Sequence, residues 1–204
     1  MTMNGAACRC EKGHDVREQW GAGRSILRIR DPGIVFDQLD LREGDRFLDL
    51  GCGSGDYAMA ASRIVGRSGA VFALEKSRQR VARLVAEAAD QDMDNVLAMA
   101  CDISRPLPVG EESIDVCLLA TVLHIPEVAR HMRAILGEVH RVLRPGGRLG
   151  IIECKKEETA FGPPPGMRLS ARDIREALPR GAFHGEVETD LGGLYLLRLV
   201  ALQL

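Results

Sequence analysis

The residues Asp49-Leu50-Gly51-Cys52-Gly53-Ser54-Gly55-Asp56 carry the densest chemistry in this chain. Three glycines at alternate positions join a run of strand composition directly to a run of helical period. There they let the backbone turn sharply and approach a ligand with no Cβ in the way. Charge then selects among ligands. A phosphate-binding P-loop ends in Gly-Lys-Ser or Gly-Lys-Thr, which this loop does not contain. A dinucleotide loop has Gly or Ala three residues after its second glycine. Asp56 stands at that place instead, where a pyrophosphate would meet added negative charge at the helix start. Asp49 and Asp56 beside an open glycine turn suit an amino group or a sulfonium better than a phosphate.

The other reactive side chains are scattered. His124, in Thr121-Val122-Leu123-His124-Ile125-Pro126, follows an apolar run and occupies a position that opens toward strand ends, where α/β folds bind ligands. It is the best general-base candidate, ahead of His14 and Glu153. His131 and His140 fall on the solvated side of a long helix, and His184 belongs to the C-terminal region. Of the six cysteines, at 8, 10, 52, 101, 117 and 154, four lie inside apolar runs or glycine turns and read as packed thiols. Cys8-Arg9-Cys10 with His14 has ligand types that suit a soft metal or metalloid. The paired zinc spacing and a second pair are both missing, so no metal centre is assigned.

An alternation of strands and helices must position these groups. Arg46-Phe47-Leu48-Asp49-Leu50 reads as a first strand and Val71-Phe72-Ala73-Leu74 as a second. After it, Val81, Leu84, Val85 and Ala88 form one apolar helix stripe. Residues 95–100 and 114–120 are two more strands, the latter nearly unbroken in apolar character, as a strand covered on both faces is. Met132, Ile135, Leu136, Val139 and Leu143 repeat the helical stripe up to Arg144-Pro145-Gly146-Gly147, which cannot continue a helix, and residues 149–152 follow as a fifth strand. Residues 162–166, Gly-Pro-Pro-Pro-Gly, are a stiff loop, and Ser170 with Asp173 approximates a capping box for a helix through Leu178. Residues 187–191 and 194–202 flank Gly192-Gly193, the turn chemistry of a hairpin. Asp31-Pro32-Gly33 opens a helix through Ile34, Val35, Gln38 and Leu39.

Composition bounds the function. With 46% hydrophobic and 27% charged residues the chain reads as one globular domain, residues 1–45 capping the end of a ligand-binding unit over 46–204. Lys plus Arg is 27 against 29 Asp plus Glu, a formal net charge of −2, so no basic surplus exists for nucleic acid. No apolar run reaches a membrane span of roughly 20 residues, no secretory signal is visible, and the expected location is the cytoplasm.

The strand Phe47-Leu48-Asp49-Leu50 followed by Gly51-Cys52-Gly53-Ser54-Gly55 resembles the opening motif of the class I S-adenosylmethionine-dependent methyltransferases. Glu75 at the end of the second strand, Cys101-Asp102-Ile103 after the third, and residues 136–150 extend the resemblance in order. The last of these is similar to the family's Leu-x-Glu-x-x-Arg-x-Leu-Arg-Pro-Gly-Gly-x-Leu stretch. Within the superfamily the chain looks most like the small-molecule branch that includes ubiquinone and menaquinone biosynthesis methyltransferases. The resemblance implies an α/β Rossmann-like fold, a mostly parallel seven-stranded sheet with a C-terminal antiparallel hairpin and helices on both faces. It also implies S-adenosylmethionine as cofactor.

On that resemblance Gly51, Gly53 and Gly55 run beside the methionine portion and Asp49 orients the loop or meets the amino group. Glu75, with Lys76 beside it, takes the ribose hydroxyls. Asp102 accepts from the adenine amino group, Ile103 and Cys52 give apolar contact, and Ala120 and Thr121 lie near the methionine end. His124 is the base where one is needed, in a segment one residue shorter than the family's usual Leu-His-His or Leu-Glu-His run. The Asn-Pro-Pro-Tyr signature of many amine methyltransferases is absent after the fourth strand. A small-molecule acceptor follows, met by residues 163–165 and the N-terminal segment, with Trp20, Arg24 and Arg30 as candidate lining. The alternatives are a non-catalytic S-adenosylmethionine-binding protein and an NAD-dependent dehydrogenase.

Overall fold

The computed structural model describes residues 32–157 and 161–203. The chain runs α1 (Pro32–Gln38), β1 (Arg46–Leu50), α2 (Asp56–Val65), β2 (Ala70–Glu75), α3 (Arg78–Asp90), β3 (Val96–Ala100) and β4 (Ile114–Ala120). It continues with α4 (Pro126–Ala129), α5 (Met132–Val142), β5 (Leu143–Cys154), α6 (Ala171–Ala177), β6 (Phe183–Asp190) and β7 (Leu194–Ala201). The strands form one seven-stranded sheet in the order β3-β2-β1-β4-β5-β7-β6. Pairings among β1 to β5 are parallel, and β7 runs antiparallel to both β5 and β6. This is the expected Rossmann-like sheet with its terminal hairpin.

Side chains alternate across the sheet into two cores. From β1 and β4, Leu48, Leu50, Cys117 and Leu119 face the layer of α5 and α6 with Ile135, Leu136, Val139 and Ile174. Phe47, Val116 and Leu118 face the layer of α1, α2 and α3 with Val35, Phe36, Ala58, Val65 and Leu84. Burying both faces is what a parallel sheet with crossover helices requires. Phe36 meets Phe47 and Tyr57 edge to face, so α1 closes over β1 and the start of α2. No helix among the described residues is long and apolar enough to cross a membrane.

Four local expectations change. On α3 the buried stripe is narrower than the sequence pattern, because Leu84 and Ala88 are buried while Val85 is 50% exposed. Leu143 leaves the helical stripe and starts β5, which carries Arg144-Pro145-Gly146-Gly147 through a register shift against β4 between Ile114 and Val116. Gly146 absorbs that bulge at φ 78°. β6 begins at Phe183, earlier than the apolar residues suggest, since its exposed side chains leave little periodicity to read. His140 is half-buried and also has partners: its Nε2 lies 2.9 Å from the Leu202 carbonyl and its ring meets Phe183 edge to face.

Candidate functional site

In this order the parallel strands reverse direction of winding between β1 and β4, and the crevice beyond their carboxyl ends is where α/β sheets bind ligands. The glycine loop leaves β1 there. Gly51 and Cys52 both donate N–H bonds to the Leu74 carbonyl, at 2.8 and 3.0 Å, which fastens the loop to the end of β2. Gly51, Gly53 and Gly55 all adopt positive φ, at 80°, 60° and 87°, where any other residue is strained. Asp49 is 2% exposed beneath the loop. Burial pushes the Tyr57 phenol up from its ordinary value, and the carboxylates of Asp49 and Asp56 add to the rise.

Glu75 braces the loop from β2. Its Oε2 accepts the Gly53 N–H at 3.0 Å and its Oε1 accepts the Ser77 N–H at 3.0 Å, with 5% of the residue exposed. Gly55 has a packing requirement of its own, because a Cβ there would lie 2.5 Å from Leu84 Cδ1. After β3, Asp102 Oδ1 accepts from the Ser104 amide at 3.1 Å and hydroxyl at 2.7 Å, bonds that hold its carboxyl below the ordinary value. Lys76 Nζ stands 3.6 Å from Asp102 Oδ2 and 3.7 Å from Glu127 Oε2, joining the turn after β3 to the start of α4. Ile103 is buried and Cys52 half-buried beside these groups.

Across the crevice, Thr121 follows β4 at φ 52°, donating its N–H to the Ile152 carbonyl at 2.7 Å. A β-branched residue in that region is an outlier that the surrounding structure must hold in place. Ala120, just before it, is half-buried. His124 completes the turn with Nδ1 2.8 Å from Glu153 Oε2. Glu153, wholly buried at the end of β5, also accepts the N–H groups of Leu123 and His124 on Oε1, at 2.9 and 3.3 Å. Sequence reading found both residues but not their pairing. The one available signal was an acidic residue ending an otherwise apolar strand.

Arg168 was missed altogether. It is 4% exposed, and its guanidinium donates to the carbonyls of Pro163, Lys155, Glu157 and Phe161, gathering the segment after β5 around one side chain. Cys8, Cys10, His14, Trp20, Arg24 and Arg30 lie outside the described residues. Among the described residues no group of three or more His, Cys, Asp or Glu is placed to hold a metal ion.

The model of the family described as a methyltransferase domain matches residues 41–182. The chain belongs to this methyltransferase-domain family. Its cofactor is that of the class I enzymes, S-adenosylmethionine. The chain is 29% identical over 122 residues to a demethylmenaquinone methyltransferase of Lactobacillus johnsonii, a match covering 59% of this chain and 48% of the relative. It is 32% identical over 120 residues to a 2-phytyl-1,4-naphtoquinone methyltransferase of Synechococcus elongatus, covering 56% of this chain and 48% of that one. The matches thus span about half the length of these curated relatives. Among solved structures, a SAM-dependent methyltransferase from Aquifex aeolicus superposes with TM-score 0.74 at 27% identity, covering 88% of this chain and 94% of that chain.

The acceptor set of this site fits that cofactor. An ammonium, a ribose diol and an adenine amino group all donate, and a sulfonium is cationic. Asp49, Glu75 and Asp102 at successive strand ends are acceptors, and the loop from 49 to 56 holds no lysine or arginine.

Proposed function

We propose that the protein transfers a methyl group from S-adenosylmethionine to a small-molecule acceptor in the crevice between the ends of β1 and β4. The observation that carries this reading is the glycine loop braced by the buried Glu75 at the reversal of the sheet. Relatives named for demethylmenaquinone and a naphthoquinone support an acceptor of small-molecule size.

In this proposal Gly51 and Gly53 admit the methionine portion to the backbone, and Asp49 holds the loop from below. Glu75, a carboxylate at the end of β2 that accepts the Gly53 and Ser77 amides, takes the ribose hydroxyls. Asp102, with Lys76 Nζ 3.6 Å from its Oδ2, accepts from the adenine amino group, with Ile103 and Cys52 as apolar contacts. Gly55 seats α2 against α3, and Ala120 and Thr121 form the wall on the β4 side. Bound there, S-adenosylmethionine supplies a methyl group on a sulfonium that departs as a neutral thioether. The residues contribute chiefly alignment, because strong anionic stabilisation of a sulfonium favours the ground state as the charge is being lost. Arg168 fixes the segment after β5, and acceptor selection belongs to the loops rather than the sheet.

Calorimetric titration with S-adenosylhomocysteine, with NAD as control, tests the reading without knowledge of the acceptor. Micromolar binding of the first alone is expected. In a folded Gly53→Val variant the branched side chain enters a position with φ 60°, and affinity is expected to fall at least ~10-fold. Absence of binding by the wild-type protein, or unchanged affinity in the folded variant, overturns the assignment.

A further inference from the structure

Among the described residues, a buried ionisable pair is left without a task by the glycine loop and its carboxylates. His124 and Glu153 sit on the opposite wall, at the carboxyl ends of β4 and β5. Ordinary surface placement does not account for them: Glu153 is 0% exposed and His124 is 8% exposed. The two residues are built together. Ala120 pairs with Ile152 in the sheet, so Thr121 and Glu153 are the next residues out on adjacent strands. Thr121 takes φ 52° and turns the chain, and the amides of Leu123 and His124 both end on Glu153 Oε1. Oε2 is thereby aimed at the imidazole, 2.8 Å from Nδ1. Tyr195, opposite Glu153 in the β5–β7 register, gives its hydroxyl to the Leu169 carbonyl at 2.9 Å and does not compete for the carboxylate.

We infer that Glu153 is a positioning residue that fixes His124 in the tautomer with the proton on Nδ1, so that Nε2 presents its lone pair to a proton-bearing acceptor. This deepens the proposed methyl transfer and rests on it. The logic is that of hydrogen-bond direction. A carboxylate only accepts, and Glu153 already accepts two amides, so Nδ1 is the donor of the 2.8 Å bond, and in the neutral imidazole Nε2 is then the acceptor. A base held in one orientation and one tautomer by a buried carboxylate is the arrangement that general-base catalysis requires. The acceptor it would serve is one that must lose a proton, taken here as a hydroxyl. His124 Nε2 takes the hydroxyl proton, the electron pair left on the acceptor forms the new bond to the methyl carbon of the sulfonium, and the carbon–sulfur pair stays on sulfur. The proton then passes from the imidazolium to solvent.

The test is a long-range proton–nitrogen correlation spectrum of the histidine-labelled protein, with the ring titrated to its neutral form. A pyrrole-like Nδ1 and a pyridine-like Nε2 are expected for His124. The opposite tautomer overturns the inference, and this wild-type spectrum decides the point even if a variant fails to fold. In Glu153→Gln, shape is kept but an amide N–H can face Nδ1, so the spectrum is expected to invert to the Nε2–H form. An unchanged tautomer overturns the role of Glu153. On any acceptor that the wild-type protein methylates, the variant is expected to lose at least ~100-fold in turnover. Titration with S-adenosylhomocysteine separates the two readings. Retained binding with the wrong tautomer sinks the dyad alone, whereas the right tautomer with no binding sinks the cofactor assignment.

Discussion

Gly55 lacks a Cβ for two separable reasons. Its φ of 87° disfavours any side chain, and a Cβ would stand 2.5 and 2.7 Å from the Leu84 methyl carbons. Gly146, at φ 78° with nothing within 4 Å of its Cβ position, has only the first reason. Gly146→Ala is therefore expected to cost about 1 kcal/mol and Gly55→Ala roughly 2–3 kcal/mol, read as urea midpoints at unchanged slope. Adding Leu84→Ala to Gly55→Ala is expected to return part of the difference, and strict additivity of the two changes would disprove the contact. Residue identities in the loop were legible because glycine and aspartate at those spacings restrict the backbone and the ligand charge. What Glu75 and Asp102 bond to was not. The Glu75 bond to the Gly53 amide depends on two strand ends lying side by side, and the Ser104 bonds to Asp102 depend on how the turn closes.

At the scale of elements, the helix starts and stops were legible wherever local bonds set them. α6 has the capping box its sequence announces: Ser170 accepts the Asp173 amide, and Asp173 accepts the Ser170 amide at 2.7 Å. Contact with Lys156 first, and these cap bonds next, bring the Asp173 carboxyl down from 3.8 to about 2. A carboxyl depressed in the folded state stabilises fully above about pH 4 and loses that contribution as pH falls through 2. Unfolding across this window is thus expected to show a slope that Asp173→Asn removes, while Ser170→Ala costs ~1 kcal/mol at neutral pH. A wild-type slope that survives in Asp173→Asn assigns it to other carboxylates.

Arg168 was illegible for the converse reason, since bonds from one cation to four backbone carbonyls leave no residue type or spacing to read in the sequence. Its replacement by Met strands those acceptors, with an expected loss of roughly 2–4 kcal/mol in denaturant unfolding. Arg168→Lys is expected to recover little, because an ammonium lacks the planar fork that spans several carbonyls.

Over the whole molecule, alternating strands and helices made the sheet readable, whereas the assembled site exists only once the ends of β1 to β5 meet. Asp49, Glu75, Asp102 and Glu153 come from or follow β1, β2, β3 and β5, and no pair of them is local in the chain. A ligand of this crevice therefore binds the folded state and has no equivalent in the unfolded one. Linkage then fixes the size of the effect: ligand at 100 times its Kd adds about 2.7 kcal/mol of stability. For a domain near 200 residues, each kcal/mol raises Tm by roughly 2–4 °C, so S-adenosylhomocysteine is expected to raise it by roughly 5–10 °C. NAD at the same concentration is expected to leave it unmoved, as the acidic start of α2 opposes a pyrophosphate. The Gly53→Val variant is expected to keep its own unliganded transition cooperative and to show a smaller rise, by about 1.4 kcal/mol for each tenfold loss of affinity. A rise with NAD and none with S-adenosylhomocysteine would reverse the charge argument made from Asp49 and Asp56. Equal rises in the wild-type protein and Gly53→Val would move the ligand away from the glycine loop, to another part of the same folded surface.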